Sequence, residues 1–164
     1  MYNPRNSIKT SRNFIAAVIN KNKDKLKDTK WLNFGCGAYC KNVYTLLGGY
    51  HYDPYLVKVN SVYEFNDLSK IPCNKFDYVV CANVLNVLQN RDLIKVIKQL
   101  YSIDTDNIII SIYEGDKTNN KKTTSHGTFQ RNEKTVNYVN KIQDIFIDYS
   151  ISMKGNEIYI TRNM

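Results

Sequence analysis

The sequence predicts an α/β chain: a mostly parallel sheet with helices on both faces, closed by an antiparallel hairpin at the C-terminal end. Three observations carry that prediction. First, the apolar run Lys30-Trp31-Leu32-Asn33-Phe34 breaks into Gly35-Cys36-Gly37, and 16 residues after its last glycine Asp53 follows within Tyr52-Asp53-Pro54-Tyr55. Strand, glycine turn, helix and a second strand ending in a carboxylate form a nucleotide-binding unit, in which glycines leave room for a ligand and the carboxylate accepts ribose hydroxyls. Second, apolar runs of strand length alternate with helically spaced ones, which implies parallel strands joined by crossover helices. Third, 145–153 and 157–161 flank Lys154-Gly155-Asn156, a hairpin signal that adds one antiparallel strand.

Taken in order, residues 11–28 carry Phe14, Ile15, Val18, Ile19 and Leu26 at helical spacing behind Thr10 or Ser11, either of which can cap the start. A strand at 31–35 and a short helix at 39–47 lead through Gly48-Gly49 to a strand at 50–54, and Val62 to Phe65 makes a weaker third strand. A fourth strand spans 76–82, a helix with Leu93, Ile94, Val96, Ile97 and Leu100 spans 91–103, and a fifth strand spans 107–113. A polar segment at 114–129 precedes a helix at 131–142 and the hairpin.

A chain of 164 residues is the length of one domain and buries roughly two-thirds of its unfolded surface, so it needs no covalent staples. Residues 1–164 read as a single domain with 1–10 a flexible N-terminus, and no repeat or linker interrupts them. Cys36, Cys40, Cys73 and Cys81 form no disulfide frame, and no signal-peptide core is present, so a reducing, cytoplasmic compartment is expected. Cys36 and Cys40 lack Cys-x-x-Cys spacing, and with only His51 and His126 beside them no metal site is expected. No apolar run approaches the roughly 20 residues that span a bilayer.

A dinucleotide-binding loop carries a third glycine, which packs helix against strand; here that position is Cys40. The run Asn33-Phe34-Gly35-Cys36-Gly37-Ala38-Tyr39 instead resembles motif I of class I S-adenosylmethionine (SAM) methyltransferases, usually Asp-x-Gly-x-Gly-x-Gly and often with Gly-Cys-Gly at its centre. Two positions depart from it: Asn33 replaces the acid and Tyr39 the last glycine. Lys75 to Leu88, with Phe76-Asp77-Tyr78-Val79, resembles the family's fourth strand and the substrate-facing loop after it. Tyr-Asp-Pro-Tyr at 52–55, Asn-Val-Leu-Asn-Val at 83–87 and Gly-Thr-Phe-Gln at 127–130 resemble a narrower branch found in phages, mobile elements and DNA-modification clusters. The resemblance covers residues 10–162 and implies a Rossmann-like seven-stranded sheet, SAM as cofactor, and methyl transfer to an acceptor.

On that reading Asn33, Gly35, Cys36, Gly37, Asp53, Pro54 and Asn83 are the candidate cofactor-binding residues. Asn33 can hydrogen-bond the methionine ammonium without a charge; Asp53 is either a ribose ligand or a turn residue, since Asp-Pro starts many turns. Glu64 and Asp67 compete for the ribose or adenine amino group against a solvated-loop role, and Asp77 reads as a strand-start hydrogen-bonding residue. Asn83 and Asn86 flank Val84-Leu85 beyond strand four, where open parallel sheets place ligands. Two Asn in an apolar stretch either bind polar groups or cap the loop. His126 is a candidate general base or a plain loop histidine, and Phe129 is a base-stacking ring or a core residue at a helix start. Asn83, Asn86 and His126 are the catalytic candidates.

The net charge of +8 bears on partners. Lys117, Lys121, Lys122, Arg131 and Lys134 crowd the segment beside the expected site, and a basic rim attracts phosphates. Against this, a chain rich in Lys, Asn, Ile and Tyr also fits an AT-rich genome with lysine as default surface residue. A nucleic acid or nucleotide acceptor is favoured, although neither the Asp-Pro-Pro-Tyr of amino-methylating DNA enzymes nor the Pro-Cys of cytosine-C5 enzymes appears at strand four. The departures at Asn33 and Tyr39 keep a second class open: a SAM- or nucleotide-binding adaptor or sensor that does not methylate.

Overall fold

A computed structural model describes residues 15–38, 40–60, 62–119, 122–123 and 129–164. Helices α1 (Ala17–Lys21) and α2 (Lys23–Leu26) precede the strands β1 (Trp31–Phe34), β2 (Tyr50–Tyr52), β3 (Glu64–Phe65), β4 (Tyr78–Ala82) and β5 (Asn107–Ser111); α3 (Lys41–Leu47) joins β1 to β2 and α4 (Asn90–Tyr101) joins β4 to β5. The short strands β6 (Lys122–Thr123) and β7 (Phe129–Gln130), helix α5 (Thr135–Gln143) and the hairpin β8 (Tyr149–Lys154) and β9 (Glu157–Arg162) complete the chain. One seven-stranded sheet runs in the order β3-β2-β1-β4-β5-β9-β8, and β6 pairs with β7 apart from it. β9 is antiparallel to both neighbours while the other pairings are parallel, so it alone runs against the sheet, as the hairpin signal required.

Alternation along the strands divides the core between the two faces. Leu32, Phe34, Val79, Cys81, Ile108 and Ile110 face Leu93, Ile97 and Leu100 of α4 and Tyr138 and Ile142 of α5. Trp31, Val80 and Ile109 face the other way, against Val18, Ile19, Leu26 and Val43 from α1 to α3. In the central strands β1, β4 and β5 both faces therefore meet helices, and these strands are apolar on both sides.

Element boundaries shift where side chains compete for the backbone. The helix expected over 11–28 breaks at Asn22, buried with φ −100°, ψ 11°, whose Nδ2 donates to Val18 O at 2.8 Å. Thr10, Ser11 and Phe14 lie outside the described residues. The helix expected from 131 begins only at Thr135, because the Arg131 N–H donates to Asn86 O (2.9 Å) and Asn132 has φ 51°. Glu114 Oε1 then accepts from Thr135 N (2.8 Å) and Oγ1 (2.7 Å), capping the helix from outside, and these bonds hold its carboxyl below the usual range. Asp77 is the structural residue expected: its Oδ2 accepts from Lys30 N at 2.8 Å, and its N–H returns a bond to Lys30 O at 2.7 Å.

Candidate functional site

Strand order reverses between β1, which leads outward to β2 and β3, and β4, which leads the other way to β5. In open α/β sheets the crevice at such a reversal, beyond the strands' carboxyl ends, is where ligands bind. The glycine turn follows β1 into this crevice and the 83–88 loop follows β4 into it. They touch: a Cβ built on Gly35, at φ 74°, would lie 2.3 Å from Val84 Cγ2, so only glycine allows this approach. Gly37 also has φ 74° and is buried, which removes any side chain from the turn. The turn hangs on the end of β2, with Gly35 N and Cys36 N both donating to Tyr52 O at 2.7 and 2.9 Å.

Asp53 closes the turn. Its Oδ2 accepts the Gly37 N–H at 3.0 Å, its Oδ1 accepts the Tyr55 N–H at 2.9 Å, and Leu56 N donates to its carbonyl at 3.2 Å. The turn role is thus observed, and the carboxylate sits half-buried against the glycine backbone with a second lone pair on each oxygen. Pro54 is exposed in the same turn. Glu64 is tied to Cys40, whose Sγ donates to Oε1 at 3.1 Å, and Asp67 caps a short 3-10 turn through Ser69. Its hydrogen bond with Cys40, then burial, hold the Cys36 thiol well above the usual range, which makes it a poor nucleophile near neutrality. Among the described residues no group of three His, Cys, Asp or Glu side chains is placed to hold a metal ion.

Asn33 lies on β1 directly opposite His51 of β2. Its Nδ2 is 3.2 Å from His51 Nδ1, and His51 Nε2 is 3.1 Å from Gly48 O. A carbonyl only accepts, so Nε2 carries the proton and Nδ1 takes the Asn33 amide hydrogen. Burial pushes His51 down to about 4, keeping it neutral. Asn33 is buried, and one of its two amide hydrogens is thus taken by His51 within the sheet.

The 83–88 loop separates the two asparagines expected together. Asn83 is exposed at φ 56°, with Oδ1 accepting from Ser111 Oγ at 3.3 Å. Asn86 is buried, its Oδ1 accepting the Tyr113 N–H (3.2 Å) and its Nδ2 donating to Gln130 Oε1 (3.2 Å). Both ends of that amide hold neighbouring loops together, each with one hydrogen-bonding position in use. Arg131, expected on a basic rim, is 1% exposed and donates to Leu88 O (3.0 Å), Asn90 Oδ1 (2.9 Å) and Glu133 Oε1 (2.8 Å). Lys117 pairs with Glu114 at 3.2 Å. Lys121, His126 and Tyr39 lie outside the described residues. Phe129 sits on β7, not at a helix start, and lines a cavity of about 820 Å³ with Gln89, Asn90, Arg91, Asp92 and Lys95. Sequence reasoning missed this cavity and the Asn33–His51 pair; a polar residue in each of two adjacent apolar strands was the available signal for the pair.

No protein-family model matches the chain, and no curated protein matches it. Solved structures do. The Burkholderia thailandensis 1,6-didemethyltoxoflavin-N1-methyltransferase with bound 1,6-didemethyltoxoflavin and S-adenosylhomocysteine is similar at TM-score 0.66 and 12% identity, over 91% of this chain and 80% of that one. Magnesium protoporphyrin IX methyltransferase from Synechocystis PCC 6803 with bound S-adenosylhomocysteine is similar at TM-score 0.55 and 14% identity, over 90% and 80%. A chain of the Pnkp1/Rnl/Hen1 RNA repair complex is similar at TM-score 0.61 and 12% identity, over 89% of this chain and 40% of that one. The chain therefore has the Rossmann-like fold shared by SAM-dependent methyltransferases.

Proposed function

We propose that this protein is a SAM-dependent methyltransferase with a nucleic acid or nucleotide as methyl acceptor. One observation carries the reading: the Gly35–Gly37 turn, the Asp53 carboxylate joined to it at 3.0 Å and the Val84 loop meet at the strand-order reversal. SAM, when bound, supplies an already activated methyl, so catalysis requires chiefly proximity and orientation. Gly35, Cys36 and Gly37 present backbone to the cofactor, and Asp53 with Pro54 lies at the ribose. Asn33, two residues before Gly35 and held by His51, is a further candidate for the cofactor. Asn83, exposed past β4, is placed to contact the cofactor or the acceptor, Asn86 holds the loop behind it, and His126 is the candidate base. A cytoplasmic setting and the phage or mobile-element branch, with a role in nucleic-acid modification, accord with the free thiols and the motifs at 52–55, 83–87 and 127–130.

Calorimetry with SAM and S-adenosylhomocysteine, followed by assay of S-adenosylhomocysteine release on RNA, DNA and nucleotide mixtures, tests this. Binding with turnover is the expected result, and absence of SAM binding overturns it. Binding without turnover favours the second reading, an adaptor or sensor, for which the specific observation is the uncharged Asn33 held by His51.

A further inference from the structure

We propose that the cavity between the first turn of α4 and Phe129 is the acceptor subsite and that it takes a single nucleotide, with the base on Phe129 and the phosphate on Arg91 and Lys95. The inference rests on the methyltransferase reading and narrows its substrate. At about 820 Å³ the cavity falls within the roughly 300–1,000 Å³ of small-molecule sites, large enough for a mononucleotide and far too small for a duplex.

Its walls differ in character. Phe129, 8% exposed, lines it with a small apolar contact for a base. Arg91 and Lys95, which also line it, stand four residues apart on α4 and so share a helix face. Among the described residues neither forms an ion pair, whereas Lys21, Lys75, Lys117, Arg131 and Arg162 each meet a carboxylate. Two unpaired cations against the single carboxylate of Asp92 leave this wall positive, and a phosphate provides both the charge and the planar oxygen pair an arginine fork matches.

The remaining polar groups suit a base edge. Asn90 Oδ1 is held by Arg131, which leaves its two amide hydrogens as donors. Asp92 is an acceptor for an exocyclic amine. Gln89 directly follows the 83–88 loop, whose Val84 packs against Gly35 and whose Asn86 bonds Gln130 next to Phe129, so the cavity lies at the end of the loop that enters the crevice.

The test is calorimetry on the full chain loaded with S-adenosylhomocysteine. AMP, GMP, CMP and UMP are titrated singly, with the matching nucleosides and inorganic phosphate as controls. At least one nucleotide should bind, at least about tenfold tighter than its nucleoside and than phosphate. Arg91→Gln/Lys95→Gln should weaken it about tenfold or more and flatten its salt dependence; Phe129→Ala should weaken it several-fold through the lost apolar contact. S-adenosylhomocysteine affinity should stay unchanged in both variants. If none of the four nucleotides binds, if phosphate alone binds as well, or if both variants bind as the parent does, the proposal is overturned while the methyltransferase reading stands. If the parent fails to bind S-adenosylhomocysteine, that reading falls, and the same titrations on the unloaded chain decide the nucleotide site by themselves.

Discussion

Asn33 and His51 face each other across β1 and β2, 3.2 Å apart, and each fixes the chemistry of the other. Because Gly48 O takes the Nε2 proton, the ring offers Asn33 a lone pair, and a buried lone pair requires a donor. Asparagine supplies one; an ionised aspartate, an acceptor only, cannot. The departure from the acidic motif residue therefore has a local structural cause.

The first prediction follows from that pair. In Asn33→Asp the carboxylate demands a proton from His51, so the imidazole should titrate well above its value of about 4. Imidazole nitrogen shifts followed by NMR across pH 4–8 would show it. A ring that stays neutral down to the parent's range would mean that the two side chains are not paired.

The same histidine contributes a pH-dependent stability. Its native pKa of about 4 lies below the unfolded 6.5, so above pH 6.5 it is neutral in both states and its contribution is intact. As pH falls from 6.5 to about 4 the unfolded chain takes the proton first, and stability should drop by up to about 3 kcal/mol. Carboxylates titrate in part of this window too, so the quantity to measure is the difference in urea unfolding between the parent and His51→Gln. A constant difference from pH 7 to pH 4 would refute it.

Gly35→Ala should be costly in two separable ways. A left-handed φ costs a non-glycine residue about 1–2 kcal/mol, and the new Cβ would lie 2.3 Å from Val84 Cγ2, adding overpacking of about 1–3 kcal/mol. Val84→Ala in the same chain should recover the second part only, a coupling that a double-mutant cycle reads directly. Strictly additive losses would show that turn and loop do not touch.

Asp53→Ala removes the acceptor for Gly37 N–H and Tyr55 N–H as well as the proposed ribose partner. SAM affinity should fall about tenfold to a hundredfold, or 1.5–3 kcal/mol. A ligand without ribose hydroxyls should lose little more in the variant. If the two losses add in full, Asp53 serves the turn alone.

Arg131 and Glu133 are a buried pair at 2.8 Å. Arg131→Met should cost about 3–5 kcal/mol because it strands the Glu133 charge, whereas Arg131→Met/Glu133→Leu should cost markedly less. Denaturant unfolding of both variants checks this, and equal losses would place the cost in Arg131's bonds to Leu88 O and Asn90 instead.

What the sequence determined by itself is what periodicity and turn chemistry encode: the strand and helix alternation, the Gly35-Cys36-Gly37 turn, Asp53 at the end of β2, and the closing hairpin around Gly155-Asn156. These are local, because each apolar run or glycine acts on its own neighbours. The tertiary structure decided the partners of isolated polar residues. Whether Asn86 met a ligand or a loop depended on where Tyr113 and Gln130 came to lie, 27 and 44 residues away along the chain. Arg131 reads as one more surface cation until Leu88, Asn90 and Glu133 close around it, and Asn33 reads as a lost acid until β2 brings His51 into register. A buried polar group is stable only beside its complement, and that complement comes from strand order and loop packing, which no window of sequence contains.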